Sequence, residues 1–319
     1  MSRFNLLLFV LLSPFLKVSA QRQNTYFIKN DGQYVTQRDS ADYIRFVQEP
    51  EKGTDLYGIK EYYLDGKAKT LGRTSKIDPP LYEGPYRSFY PNGKRKMIAS
   101  YSKGKITDTA YTYYPNGQLY KVVSYTNYPD PAPTVIFTKT VMDSTGKEMV
   151  INGNGQDLVY DDDFKNIVER GPIKNGVPDG TWTGDQTKTS DPYTEIYANG
   201  ELVSGVSTDN QLVIYKYTKS FIQPQFKGGI DKFYKYLHRN VEYPARCNRE
   251  GIQGVAVVKF TVMKDGTLDD IKVVNYVDPD MAKEAIRVIK ACPPWEPGIV
   301  KGKIVKVSYN VPVSFTLSN

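Results

Sequence analysis

The chain has 319 residues, 40% hydrophobic and 24% charged, an ordinary globular composition that excludes wholesale disorder and a length that suits two domains. Its net charge of +7 is unevenly placed: 17 Lys+Arg and 10 Asp+Glu lie from Lys216 onward, against 25 of each in residues 1–215. A basic terminal module points to an acidic partner segment or an anionic surface, and nucleic acid fits an exported chain poorly. Lysines that only solvate a small domain would read the same way.

The first twenty residues read as an export signal. Arg3 supplies a positive start, residues 6–12 an apolar run, and Val18-Ser19-Ala20 a small-residue cleavage site before Gln21. A spanning helix needs about 20 apolar residues, and Pro14 and Lys17 interrupt this run. The expectation is a protein of the periplasm or cell envelope whose mature chain has no membrane-spanning segment. Residues 21–54 form an N-terminal segment ahead of the first recognisable pattern.

Residues 55–215 are dominated by a repeat. Gly58-Ile59-Lys60-Glu61-Tyr62-Tyr63-Leu64-Asp65-Gly66-Lys67 is matched by Gly84-Pro85-Tyr86-Arg87-Ser88-Phe89-Tyr90-Pro91-Asn92-Gly93-Lys94 and by Ala110-Tyr111-Thr112-Tyr113-Tyr114-Pro115-Asn116-Gly117-Gln118. A weaker copy is Asp143-Ser144-Thr145-Gly146-Lys147, and a last one is split between Gly180-Thr181-Trp182 and Ile196-Tyr197-Ala198-Asn199-Gly200-Glu201. The turn glycines at 66, 93, 117 and 146 are 27, 24 and 29 residues apart, a period that signals a stacked array. Asn-Gly and Asp-Gly supply the positive φ of a tight hairpin, and lone hairpins must pair or stack to bury an apolar face. With 26 tyrosines against 13 phenylalanines, solvent-facing aromatics on β-sheet are expected. The prolines of residues 126–133 mark a loop that breaks the array. The pattern resembles MORN-type repeats, which implies a scaffold or binding surface and no particular reaction.

From Lys216 the pattern changes. Ile230, Phe233, Tyr234 and Leu237 recur at helical spacing behind Gly228-Gly229. Ala256, Val258, Phe260 and Val262 share one face of a strand that turns at Asp265-Gly266 into a second, over residues 268–276. Asp278-Pro279 is an N-cap with proline at the first helical position; Met281, Ala285, Ile289 and Cys292 follow on one helical face before Pro293-Pro294. Finally Val305, Val307, Tyr309, Val311, Val313, Phe315 and Leu317 alternate with polar residues through Ser318, a long strand with one buried face. Pro312 cannot donate to a neighbour, which puts this strand at a sheet edge. Such an edge is either open to an added peptide strand or blunted by its proline and lysine.

These residues together resemble the C-terminal domain of TonB over about residues 222–319. The signals are Pro224-Gln225-Phe226-Lys227-Gly228-Gly229, Tyr243-Pro244-Ala245-Arg246, Gly251-Ile252-Gln253-Gly254, Val258-Lys259-Phe260-Thr261-Val262, Glu284-Ala285-Ile286-Arg287 and Trp295-Glu296-Pro297-Gly298, in order and at the family's spacing. The resemblance implies an α+β domain, two helices on an antiparallel sheet, following the all-β array of antiparallel hairpins. It also implies capture of an extended segment of an outer-membrane TonB-dependent receptor, or of another envelope protein, by β-strand addition. Carried over by position, the surface comprises Asn240, Val241, Glu242 and Tyr243 with the edge residues Val305, Val307, Tyr309, Val311, Val313 and Phe315. A cleavable signal in place of the family's membrane anchor leaves the binding role and removes the usual energy relay. The alternative is a scaffold in which the Tyr-rich repeats bind the ligand and the TonB-like domain only docks it.

Cys247 and Cys292 are an even pair in an oxidising compartment, hence a disulfide candidate. The family's packing implies that they meet; two unrelated buried thiols are the alternative. His238 is the single histidine, too isolated for a zinc site, and no nucleophile-elbow motif could enlist it. Asp161-Asp162-Asp163 lacks the glycine and distal glutamate of a calcium loop and reads as a solvated turn. No catalytic constellation, cofactor or metal is expected, and the chain reads as a binding protein rather than an enzyme.

Overall fold

A computed structural model describes residues 23–126, 134–187 and 190–317. The export signal of residues 1–20, residues 127–133 of the proline loop, and Ser318 lie outside the described residues. Contacts divide the chain into two compact units, Met1–Glu148 and Met149–Asn319.

In the first unit the strands are β1 (Gln23–Ile28), β2 (Tyr34–Val35), β3 (Tyr43–Gln48), β4 (Tyr57–Tyr63), β5 (Ala68–Ile77), β6 (Pro80–Phe89), β7 (Arg95–Ser102), β8 (Lys105–Tyr113), β9 (Leu119–Thr126) and β10 (Val135–Met142). From β3 onward each pairs antiparallel with the next, and β1 pairs with both β2 and β3. The N-terminal segment, featureless in sequence, therefore begins the sheet from Gln23 onward. Their alternation is plain in β3, where Tyr43, Arg45 and Val47 are buried and Ile44, Phe46 and Gln48 less so.

One turn recurs. At Tyr63, Tyr90 and Tyr114 the backbone N–H donates to the carbonyl four residues on, and the glycine N–H at 66, 93 or 117 donates back to the tyrosine carbonyl. These glycines have φ of 86°, 83° and 89°, while Asp65, Asn92 and Asn116 keep negative φ. The result is a type I turn closed by a left-handed glycine, with the pairing register shifting beside it. The Asp or Asn side chain accepts from the N–H two residues on, which is why that residue precedes the glycine.

Tyr34 and Tyr111 are solvent-facing as expected, but the tyrosines at the turns are not. Tyr90 and Tyr114 are buried, and each hydroxyl reaches the following repeat: Tyr63 Oη donates to the Phe89 carbonyl (2.9 Å), Tyr90 Oη to Tyr113 (2.7 Å) and Tyr114 Oη to Met142 (2.8 Å). Asn92 and Asn116 donate likewise to the Pro115 and Ser144 carbonyls. Turn is stapled to turn along the array.

The second unit continues with β11 (Glu148–Ile151), β12 (Asn154–Tyr160), β13 (Ile167–Lys174), β14 (Val177–Pro178), β15 (Gly180–Gly184), β16 (Tyr193–Ala198), β17 (Glu201–Thr208) and β18 (Ile214–Tyr217). The split repeat closes here, since Gly180 lies opposite Tyr197 and Trp182 opposite Glu195. Strand pairing of the repeat region runs to Tyr217, which faces Gly205.

The C-terminal domain follows in the same unit: β19 (Phe221–Ile222), α1 (Ile230–Asn240), α2 (Ala245–Arg249), β20 (Gly254–Val262), β21 (Leu268–Val273), α3 (Pro279–Lys290), β22 (Gly298–Val300), β23 (Lys303–Val305) and β24 (Val307–Phe315). Two three-stranded sheets form, ordered β21-β20-β24 and β19-β22-β23. The core joins alternate residues of β20 and β24 to Met281, Ala285, Val288 and Ile289 of α3 and Phe233 and Leu237 of α1. Trp295 sits among Phe233, Phe260 and Tyr309, ring centroids 5.0 to 5.4 Å away. Helix α1 departs from expectation: Ile230 and Tyr234 are exposed, and Tyr236 is the residue packed beside Phe233 and Leu237. Asp278 caps α3 as expected, its side chain accepting from the Asp280 N–H.

That cap also anchors α2. Arg246 Nη2 lies 2.6 and 2.7 Å from the two Asp278 oxygens, and its Nε lies 2.8 Å from Asp280. The cysteines are free, which corrects the expected Cys247–Cys292 bridge. Cys247 Sγ is 3.3 Å from Asp278 Oδ1 at the start of α3, whereas Cys292 lies past its end and accepts from Trp295 Nε1. Between them stand the 12 residues of α3, about 18 Å at helical rise, beyond the span of a disulfide.

Three outcomes follow. Tyr90→Phe and Tyr114→Phe each remove one inter-repeat hydrogen bond and should lower stability by roughly 0.5–1.5 kcal/mol in chemical denaturation. Asp278 is held below the usual carboxylate range by the Arg246 guanidinium, against the opposing effect of burial. Because its folded pKa lies below the unfolded value of about 3.9, its stabilisation is complete above that pH and is lost as pH falls through the lowered value. The difference in melting temperature between the wild type and Asp278→Asn should accordingly be widest near neutrality and close in strong acid. Without reductant, the unfolded chain should take up thiol-alkylating reagent at both Cys247 and Cys292, read by mass.

Candidate functional site

The site builds outward from β20, the middle strand of its sheet. It pairs with β24 from Gly254↔Phe315 to Val262↔Val307 and with β21 on its other side. Among the described residues β24 pairs with β20 alone, so its far side is an edge, where Pro312 leads one to expect it.

Which backbone groups face that edge follows from Val257. Its N–H donates to Asn275 Oδ1 (2.7 Å) and its carbonyl accepts from the Val274 N–H (2.9 Å), both on the β21 side. Val257 is opposite Pro312; this is therefore a non-hydrogen-bonded pair, and the bonds to β20 fall on the alternate residues. Ser308, Asn310 and Ser314 thus turn their N–H and C=O groups away from β20, while Pro312 presents only a carbonyl there. Val311, Val313 and Phe315 send their side chains into the core, and Val307 and Tyr309 are half-buried on the same face.

Val305 is not part of this strand. The side-chain alternation runs unbroken through Lys306, but the backbone pairing does not: Val305 belongs to β23, opposite Gly298. Of the other expected residues, Tyr243 lies by the far end of the edge, and residues 240–242 are held by the helices. Asn240 ends α1, its Nδ2 donating to the Tyr236 carbonyl (2.7 Å) and its own carbonyl accepting from Arg287 (2.7 Å). Val241 continues the helical bonding to the Leu237 carbonyl. The Glu242 N–H donates to Glu284 Oε1 (2.7 Å). Burial pushes the Glu284 carboxyl up, but Arg287 and this N–H more than offset it, so Glu284 is held below the usual range. Tyr243 donates its hydroxyl to the Ile252 carbonyl (2.7 Å), and its ring meets Phe315 edge-on at 5.9 Å. Tyr243 and the end of β24 are thus brought together, and residues 240–242 are fixed from behind by α3.

Two features escape the sequence reading. At the Tyr309 end of β24 lies an open groove lined by Phe221, Phe226, Ile230 and Trp295 together with the polar Lys219 and Gln223, with Phe221 and Ile230 exposed. The other is the tip of the β22–β23 hairpin, Lys301-Gly302, seated on the last repeat. Asp161, by contrast, accepts from the N–H groups of Lys165 and Asn166 and closes a turn.

Comparison with known families matches residues 82–103 and 109–127 to the MORN repeat variant and residues 239–317 to the Gram-negative bacterial TonB protein C-terminal family. No curated protein and no solved structure matches the chain. Among the described residues no helix is long and apolar enough to cross a membrane. The chain carries MORN-variant repeats followed by a TonB-type C-terminal domain, the module of a Gram-negative envelope protein family.

Proposed function

We propose that this protein binds an extended segment of an outer-membrane TonB-dependent receptor, or of another envelope protein, by adding it as a strand to β24, and that its role is binding and not catalysis. The observation that carries the reading is the row of backbone groups at Ser308, Asn310 and Ser314 turned away from β20. An added strand gains main-chain hydrogen bonds there and specificity from pockets at its ends. The groove of mixed polar and apolar lining by Tyr309 and the Tyr243–Phe315 contact stand at those two ends. The basic balance of the domain favours a segment bearing acidic residues. Binding by the repeat tyrosines is less favoured, because Tyr63, Tyr90 and Tyr114 already spend their hydroxyls on neighbouring repeats.

The test is calorimetric titration of the full chain with TonB-box peptides from the host's outer-membrane receptors. Asn310→Pro removes an outward donor and leaves the β20 ladder intact, so it should weaken binding by about tenfold or more with an unchanged melting temperature. Tyr309 is unsuitable for this purpose, since its N–H faces β20. Equal binding by wild type and Asn310→Pro would exclude strand addition at β24, and failure of the wild type to bind any such peptide would exclude the receptor segment.

A further inference from the structure

Two repeats at opposite ends of the array bury a glutamate at the same repeat position. Glu61 and Glu195 each stand five residues before a turn glycine, Gly66 and Gly200, where the repeats between carry Ser88, Thr112 and Val141. Both carboxylates are almost fully buried, with side-chain exposures of 4% and 3%. A buried carboxylate must be paired.

Glu61 finds its cations within its own repeat and the strand before it. Arg45 Nη2 lies 2.8 Å from Oε1 and Lys69 Nζ 3.2 Å from Oε2, and Lys69 Nζ also lies over the Tyr43 ring, 3.7 Å from its centroid. Glu195 has two neutral donors of its own, Tyr217 Oη to Oε1 (2.9 Å) and Tyr197 Oη to Oε2 (2.8 Å). Its cation arrives from the C-terminal domain. Lys301 Nζ is 2.9 Å from Glu195 Oε1 and sits over the Tyr193 ring at 3.2 Å.

The rest of the hairpin tip is fitted to the same place. Lys301 and Gly302 have φ of 48° and 81°, the left-handed pair of a two-residue hairpin turn. A Cβ on Gly302 would come within 2.9 Å of Tyr215 Cβ, so the tip presses on β18 and needs glycine. Ser207 Oγ donates to the Lys301 carbonyl (2.7 Å), and Lys303 Nζ lies 2.7 Å from Asp191 Oδ2 and 3.7 Å from Asp209 Oδ2.

We propose that the last repeat carries a tyrosine-walled carboxylate seat that recognises a lysine at a hairpin tip, and that Lys301 of the same chain fills it. The TonB-type domain is thereby clamped to the repeat and does not hang from a free linker. Lys301 takes the place that Lys69 takes in the first repeat. Together with Gly302 and Lys303 it is a positioning residue for the domain, independent of whatever β24 binds.

Hydrogen–deuterium exchange on the full chain tests this, with β20 as an internal reference. Lys301→Met leaves Glu195 charged, buried and without its cation. It should speed exchange in β16–β18 and β22–β23 by about tenfold or more, with β20 unchanged. Adding Glu195→Gln removes the stranded charge, so the double variant should exchange more slowly than Lys301→Met in those segments. Glu195→Gln alone makes the seat neutral and leaves the Lys301 ammonium, the more exposed of the two partners, without its counter-ion, so it should give the smaller acceleration of the two single changes. The clamp would be overturned by wild-type exchange in Lys301→Met, or by a double variant as fast as the single one. It would equally be overturned by acceleration that spreads evenly into β20.

Discussion

Both halves of this molecule depend on one backbone constraint: a hairpin that ends in a glycine forced into the left-handed region. At Gly66, Gly93 and Gly117 the forced φ closes a five-residue turn, and the register shift beside it fixes which strand residues face inward. The same bonding reappears at Gly266 of the C-terminal domain, where the Met263 N–H donates to the Thr267 carbonyl and the Gly266 N–H returns to Met263. In the array this turn places Tyr63, Tyr90 and Tyr114 at successive corners, at a height where each hydroxyl meets the backbone by the next corner. In the C-terminal domain it delivers the chain from β20 into β21, leaving β20 central and β24 outermost.

Polar groups govern the rest. Three buried or half-buried carboxylates are met by cations and donors: Glu61 by Arg45 and Lys69, Glu195 by Lys301 and two tyrosines, Asp278 by Arg246 and its own helix. These groups add little driving force compared with the apolar core. Their effect is to make one arrangement much better than its neighbours, since removing either partner strands a charge. Each of the three ties elements that are distant in sequence or different in kind: a strand to its neighbours, a repeat to a hairpin of the next domain, a one-turn helix to the cap of a long one.

Local chemistry was the legible part. Asn-Gly and Asp-Gly mark turns, Asp278-Pro279 marks a helix start, and Pro312 marks an edge, because each acts within a few residues. The alternation of residues 305–317 identified the strand that forms the edge but not its true beginning, since a change of pairing partner at Lys306 leaves the in-out parity of the side chains untouched. The disulfide expected between Cys247 and Cys292 was a matter of relative position, and α3 holds the two thiols apart. The inward turn of the tyrosines depends on how one repeat stacks on another. Lys301 and Glu195 are 106 residues apart, and nothing near either one announces the other.

Pro312 gives the edge of β24 a phase. Donors facing outward at Ser308 and Asn310 are followed by a position with none and then by Ser314. An incoming strand that slides by one backbone repeat brings a different carbonyl of its own opposite the gap and leaves it without a partner. Overlapping alignments of the same segment are therefore not equivalent, even where its side chains are alike. A flat, uninterrupted edge would treat all of them alike; the gap at Pro312 would rank them for any strand added here, through the main chain alone.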